Sequence, residues 1–294
     1  MVQEISVTAE EGPKKLENFL KKRFPVGYVR KLFRKNGVRL NGRPAKPDDP
    51  VRPGDRVALY IVFEKSPKSR GQRIPVPADI KIIFEDDQII VINKPAGIAV
   101  HEGKEVLKRN SLLGILEARC RPRGVTPRLV HRLDRDTSGV LVVAKNDAVA
   151  KQFQDFFASG KVEKEYVCLL LGRVQQNRGA IDFPLPGRAV QPVHALTQFG
   201  VVKRFSETTL VRANIATGRM HQIRRHFAQY GHPVVMDDQY GDFSFNKRLR
   251  KQCRLRRQFL HASTLALPYR GKKHSWTAPL PADLESTLEF LAAH

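Results

Sequence analysis

Residues 129–145, LVHRLDRDTSGVLVVAK, constrain this chain more than any other stretch. A short apolar entry, Leu129 and Val130, meets a dense polar turn from His131 to Ser138. Gly139 then opens a β-branched run, Val140 to Ala144. Such a run reads as a buried strand. Imidazole, guanidinium, carboxylate and hydroxyl groups crowded between two apolar segments exceed what a surface turn requires. Loops held by rigid strands are where chemistry concentrates.

The turn offers two carboxylates, Asp134 and Asp136, among Arg132 and Arg135. A carboxylate beside a guanidinium stays ionised and is held in place, which suits a nucleophile or an electrostatic stabiliser. Asp136, Thr137 and Ser138 also suit a plain structural turn, because their side chains bond to nearby backbone. A metal site built on His131, Asp134 and Asp136 is disfavoured, since the adjacent arginines compete for the same oxygens. A glycosidase pair is disfavoured too, because its acid and base normally come from separate segments.

Charge narrows the partner. The chain carries 52 Lys and Arg against 29 Asp and Glu in 294 residues, a net +23. The excess is clustered: residues 14–39 hold ten basic side chains against one acid, and residues 243–258 hold seven against none. Clustered positive charge points to a polyanion, nucleic acid before membrane. Cys120, Cys168 and Cys253 lie far apart without paired spacing. Neither a disulfide scaffold nor a cysteine–zinc site is expected, and a reducing cytoplasm fits. The polar, acidic N-terminal residues show no signal peptide, and the longest apolar runs are too short to span a bilayer.

Along the chain, residues 1–62 read as a small basic module. Leu16, Phe19 and Leu20, then Val29, Leu32 and Phe33, recur at helical spacing, with Lys31, Arg34 and Lys35 on the exposed face. Asn41-Gly42 is a hairpin dipeptide, and a strand is expected at 57–62. The module resembles the alpha-L RNA-binding domain in KKLENFL, YVRKLFRKNGVRLNG and VRPGDRVAL. Residues 63–78, rich in proline and basic side chains, read as a linker. Residues 79–294 read as a larger α+β domain on a mixed, mostly antiparallel sheet. In it, strands are expected at 80–84, 89–93, 140–144, 167–171, 209–215 and 260–267. Helices are expected at 112–118, from a cap at Asp147 through 159, from Thr217 to about 230, and at 282–292.

Two further clusters carry polar chemistry. In residues 216–226, ATGRMHQIRRH, Thr217 is expected to cap a helix whose free amides could meet a phosphate or carboxylate. Ile223, Phe227 and Tyr230 form its core stripe, which leaves His221, Arg224 and Arg225 at the border or on a solvated basic face. In residues 163–172, EKEYVCLLLG, Tyr166 leads into an apolar strand, where a tyrosine is most often core.

Four ordered motifs, HRLDRDTSG, EKEY, TGRMHQIRRH and GHPVVMDDQYGD, together resemble the RluA-type family of pseudouridine synthases. With the alpha-L-like module in front, the likeness is greatest to the ribosomal large-subunit members, and it covers residues 5–290. The resemblance implies isomerisation of uridine to pseudouridine in RNA without a cofactor. It also implies Asp134 as the catalytic aspartate, Tyr166 as the tyrosine that stacks on the base and serves as general base, and Arg224 as the partner of Asp134. Met220 and Arg225 depart from the family, whose members often carry a smaller hydroxyl residue and an aliphatic one there. RNA contacts are expected from Lys31, Arg34, Lys35, Arg132, Arg219 and His221. The expected substrate is large-subunit (23S) ribosomal RNA, acted on by a monomer with no metal and no membrane association. Transfer RNA is the alternative substrate. A non-catalytic RNA-binding or ribosome-assembly factor is the alternative from another class.

Overall fold

The computed structural model describes residues 2–11, 13–24, 26–34, 36–60, 80–103, 106–186 and 192–294. The linker expected at 63–78 and the side chains of Lys31 and Lys35 lie outside the described residues. Two compact units divide the chain: Met1–Arg73 with Asp242–Arg248, and Ile74–Gly241 with Leu249–His294.

In the first unit, β1 (Val2–Ser6), β2 (Val38–Leu40), β3 (Arg43–Pro44) and β4 (Arg56–Tyr60) form a sheet in the order β1-β4-β2-β3. Helices α1 (Leu16–Lys21) and α2 (Val26–Arg34) bury Leu16, Phe19, Leu20, Val29 and Leu32 with Val57 and Leu59. Asn41 and Gly42 both take positive φ, 50° and 81°, the conformation a tight hairpin between β2 and β3 demands.

The second unit is built on one mixed sheet. Its longer strands are β5 (Ile82–Glu85), β6 (Ile89–Lys94), β7 (Ser138–Ala144), β8 (Glu163–Leu171), β9 (Arg178–Ile181), β10 (Thr197–Arg204), β11 (Thr208–Ile215), β12 (Leu260–Tyr269) and β13 (Lys272–Thr277), and the two-residue strand Arg128–Leu129 pairs with β7. The order is β9-β10-β11-β8-β12-β7-β6-β5, with β13 paired to β12. Neighbours run antiparallel except β7 and β12, which are parallel. Helices α3 (Leu112–Cys120), α4 (Asp147–Ala158) and α5 (Gln222–Gln229) belong to this unit; α6 (Phe243–Gln252) starts in the stretch assigned to the first unit and ends in this one, to which α7 (Ala282–Ala293) also belongs.

Strand β7 is buried along its whole length because the sheet is covered on both faces. Leu141 and Val143 point into one core with Leu116, Ile223 and Phe227, whereas Val140, Val142 and Ala144 point into another with Phe153 and Trp276. That is why its sequence is uniformly apolar rather than alternating. Gly139 takes φ 118°, and a Cβ there would lie 2.1 Å from the carbonyl oxygen of Ala262. Only glycine lets the parallel strands β7 and β12 approach this closely beside the polar turn.

Several element boundaries differ from the sequence reading. Asn146, not Asp147, caps α4, its side chain accepting from the Val149 amide at 2.9 Å. Strand β8 starts at Glu163 rather than 167, so Tyr166 is inside it. The largest difference is at α5, which begins at Gln222. Thr217 does not cap it; its hydroxyl donates to Gln222 Oε1 at 2.7 Å within a turn. Among the described residues, no helix is long and apolar enough to cross a membrane.

Candidate active site

Three segments distant in sequence converge on Asp134. The polar turn enters β7, α5 packs Ile223 and Phe227 against the same core as Leu133 and Tyr166, and the loop after Met236 supplies Asp237 to Arg224. An open pocket results, lined among others by Arg132, Asp134, Tyr166, Arg219, His221 and Arg224.

Arg224 organises the charges. Its Nη1 donates to Asp134 Oδ2 at 3.1 Å, while Nε and Nη2 donate to the two oxygens of Asp237 at 2.6 and 2.9 Å. The Arg224 side chain is 6% exposed and that of Asp237 0%, whereas that of Asp134 is 19% exposed. The fork on Asp237 fixes the plane of the guanidinium, and the planar geometry then presents Nη1 to Asp134. Burial opposes ionisation of Asp237, but Arg224 overrides it and holds the carboxyl below its usual range. The amides of Gln239 and Tyr240 also donate to Asp237 Oδ1, at 2.8 and 2.9 Å.

Tyr166 lines the pocket beside Asp134. Burial first, and the Asp134 charge second, push its phenol well above the ordinary tyrosine value, so it is a neutral hydroxyl at pH 7. A register shift between Glu165 and Tyr166 where β8 meets β12 re-aims the strand at this point. Lys164 accordingly reaches over Phe157 of the second core, at 5.6 Å, while Tyr166 packs in the first.

The turn itself is clamped from behind. Lys94, fully buried, donates to the carbonyls of Pro95, Ile98 and Arg135 at 2.8, 2.9 and 2.9 Å. Burial pushes its ammonium down to about 7, against the pull of Asp136 and Asp134. Gln258 donates to the Thr137 hydroxyl at 2.7 Å, and Ser138 pairs with His261 Nδ1 at 2.9 Å. His131 accepts from the Val142 amide through Nε2 at 2.9 Å and stacks on Phe157. Burial and Lys164 push its imidazole down to about 3, so it is a neutral structural group. Among the described residues, no three His, Cys, Asp or Glu side chains gather as metal ligands.

The solvated basic face, one of the two alternatives for α5, is not there. Gln222 through Phe227 are all buried, and the polar groups of Gln222, Arg224 and His226 have partners from distant segments. Gln222 bridges Leu196 and the turn at Thr217 and Arg219, and His226 uses both ring nitrogens, on Thr197 and on the Phe183 carbonyl. Arg132 and Arg219 are exposed at the pocket, Arg219 bonded through Nε to the His194 carbonyl at 3.3 Å. His221 is half-buried with φ 53°. Arg34 is exposed at the end of α2 in the other unit. In the basic stretch 243–258, Arg257 is buried and paired with Asp283 at 2.7 Å, so it is not available to a polyanion.

Asp237, Tyr240, Lys94 and Gln222 had no assigned role in the sequence reading. An acid directly after the apolar residues Val234, Val235 and Met236 was the available sign that Asp237 is buried and therefore paired.

The family model for RNA pseudouridylate synthase matches residues 88–229. Ribosomal large subunit pseudouridine synthase C of Escherichia coli K12 is 34% identical over 314 aligned residues, covering 99% of this chain and 97% of the relative. The protein of the same name from Vibrio cholerae is 34% identical over 98% of this chain and 96% of its own. Among solved structures, human RNA pseudouridylate synthase domain containing 4 aligns with a TM-score of 0.62 at 25% identity, over 72% of this chain and 93% of its own. Domain containing 1 gives 0.59 at 27% identity, over 71% and 88%.

Proposed function

The chain belongs to the RNA pseudouridylate synthase family, and from that premise we propose that it isomerises uridines of large-subunit ribosomal RNA with Asp134 as the reacting carboxylate. Pseudouridine formation breaks the C1′–N1 bond, turns the uracil and joins its C5 to C1′. The C5 proton is then lost and N1 gains one, so no atom is added or removed overall.

One observation carries the reading: a carboxylate with one oxygen held by a buried guanidinium and its other edge open to a pocket shared with a tyrosine. Departure of the base leaves positive character on the sugar at C1′. A fixed anion beside that carbon stabilises it without reorganising at the moment of reaction. Arg224 and Asp237 supply the fixing. Tyr166 offers a neutral hydroxyl to the base in the same pocket. Once C5 is bonded to C1′ its proton is easily removed, since loss restores ring conjugation; the Tyr166 oxygen accepts it while the phenol passes its own proton to solvent and stays neutral.

The target uridine must leave its stack to enter the pocket, at a cost of a few kcal/mol. Arg132 and Arg219 at the rim, with the basic first unit and its Lys31, Arg34 and Lys35, supply phosphate contacts toward that cost. The ribosomal substrate is supported by the relatives named above and by the clustered positive charge. The monomeric state and the alpha-L character of residues 1–62 belong to the same proposal.

The test is Asp134→Asn, which keeps size and hydrogen bonding but removes the charge. Tritium release from C5-labelled uridine in ribosomal RNA should vanish while RNA binding survives. Substantial residual turnover overturns the assignment. Mapping pseudouridines in ribosomal and transfer RNA from cells with and without the gene identifies the substrate.

A further inference from the structure

His221 stands at the pocket in an arrangement that the preceding mechanism does not use. It is the residue immediately before α5 and takes φ 53°, a conformation that non-glycine residues adopt rarely. Its Nδ1 lies 3.0 Å from the Tyr240 hydroxyl, with the two rings edge to face. Its Nε2 lies 3.8 Å from Asp134 Oδ1, the carboxylate oxygen other than the one Arg224 holds.

The protonation pattern follows from the neighbours. Tyr240 keeps its proton, because burial pushes its phenol up. Burial holds the His221 imidazole below its ordinary value, although Asp134 and Asp237 pull it up while Arg224 and Arg132 push it down. A neutral imidazole carries one N–H. Placing it on Nε2 faces it toward the Asp134 carboxylate and leaves Nδ1 to accept from Tyr240; the other tautomer sets a lone pair against that carboxylate.

The gap between Nε2 and Oδ1 is too long for a direct hydrogen bond. An oxygen to one side can reach both at about 2.8 Å, but it must accept from Nε2–H and donate to Oδ1. A carbonyl cannot donate, and an amide N–H cannot accept. In an internal uridine of an RNA chain the 3′ and 5′ oxygens are esterified, and the uracil offers carbonyl oxygens and one N–H. The 2′-hydroxyl alone does both, and its carbon is bonded to C1′, where Asp134 works. We propose that His221 and Asp134 together read the 2′-hydroxyl of the target uridine, with Tyr240 as the positioning residue that keeps the His221 proton on Nε2. The proposal rests on the reading of Asp134 as the reacting carboxylate. It makes the target ribose itself a determinant of RNA over DNA.

The test is a cycle of enzyme variants against substrates. The substrates are two synthetic hairpins containing a uridine that the wild-type enzyme modifies, identical except for 2′-deoxyuridine at that position. The enzymes are wild type, His221→Asn and Tyr240→Phe. Asparagine tolerates the left-handed backbone but is too short to reach the hydroxyl. Wild type should lose about 10- to 100-fold in kcat/KM on the deoxy substrate, the effect of one missing hydrogen-bonding group in a desolvated site. His221→Asn should lose a similar factor on the ribose substrate and then be nearly indifferent to the deoxy change. Any intrinsic effect of the missing oxygen on reactivity is common to both enzymes and cancels in the cycle.

Losses that simply multiply, or a wild-type enzyme indifferent to the deoxy change, overturn the proposal. Should His221→Asn fail to fold, Tyr240→Phe, which removes one oxygen, carries the same cycle with a smaller coupling. Asp134→Asn on the ribose hairpin separates the two readings. An inactive Asp134→Asn with multiplying losses refutes the hydroxyl contact alone, while an active one refutes both.

Discussion

Arg224→Met removes the cation on which the carboxylates of Asp134, Asp237 and Asp238 converge, and its consequences can be worked from the structure. The Arg224 and Asp237 side chains are 6% and 0% exposed, so the variant leaves a desolvated carboxylate without its guanidinium. Deleting one partner of a buried ion pair costs about 3–5 kcal/mol. In a domain of 150–250 residues each kcal/mol moves Tm by about 2–4 °C, so the melting temperature should fall by about 6–20 °C at pH 7.

The sign of the pH dependence is fixed as well. In the wild type Arg224 holds Asp237 below its usual range. That stabilisation is present above the unfolded carboxyl value of about 3.9 and is lost as pH falls through the folded one. In the variant only the Gln239 and Tyr240 amides oppose burial in place of the lost guanidinium, and the folded value should rise above the unfolded one, so the variant weakens as pH rises. The gap between the two proteins should therefore widen from pH 4 to pH 7, read by urea unfolding at three pH values. Because Nη1 also holds Asp134 at 3.1 Å, kcat should fall while RNA affinity is kept. Adding Asp237→Asn should restore at least about 2 kcal/mol, since no buried charge is then left unpaired, without restoring turnover. A gap below about 1 kcal/mol at pH 7, or one equal at pH 4 and 7, refutes this account of the pair.

Gly139→Ala should yield little folded protein, because the added carbon meets the Ala262 backbone at 2.1 Å and the backbone has φ 118°; soluble yield and Tm check this. Lys94→Met should change the alkaline stability profile. The wild-type ammonium is pushed down to about 7, so its burial cost is present at lower pH and relieved between pH 7 and about 10.4. Wild type should gain on the variant across that window, by at most about 1.4 kcal/mol per pH unit. Arg30 and Arg34 are exposed on α2. Replacing both by Gln should weaken RNA binding and flatten its log–log salt slope by about 1.5, with kcat on a short hairpin unchanged. Turnover in excess EDTA should match the untreated rate, and a loss that zinc specifically restores would revive a metal role for the turn.

What was legible in the sequence is what a local pattern encodes. The polar turn and the buried strand after it could be read from residues 129–145, because a strand covered on both faces shows as an unbroken β-branched run. The Asn41-Gly42 hairpin was equally local. Helix α5 was not, since its burial depends on partners elsewhere: Gln222 on Leu196, His226 on Phe183, and Arg224 on Asp237. A row of polar side chains reads as a solvated face until the segments that satisfy them are known. The start of α5 was misplaced for a related reason. Thr217 has the composition of a cap, but Gln222 takes its hydroxyl, and the helix waits for the left-handed His221. The irregularity beside Tyr166 has no local signature either, because it is a property of the pairing of β8 with β12.

The same long-range contacts explain how a basic protein keeps the Asp134 carboxylate accessible among arginines. A single guanidinium beside Asp134 could collapse onto it and occupy both oxygens. Here Arg224 is drawn the other way, two of its three nitrogens engaged by Asp237, so it offers Asp134 one bond on Oδ2. Oδ1 is left on the pocket side, facing His221. Backbone clamps complete the arrangement. Lys94 ties the Arg135 carbonyl to residues 95–98, and Arg257, anchored on Asp283, donates to the Asp136 carbonyl at 3.3 Å. Cations behind the turn hold its main chain, and Arg224 in front is fixed by a buried anion. The rigidity lies in groups that do not face the pocket, which is the arrangement a preorganised carboxylate requires.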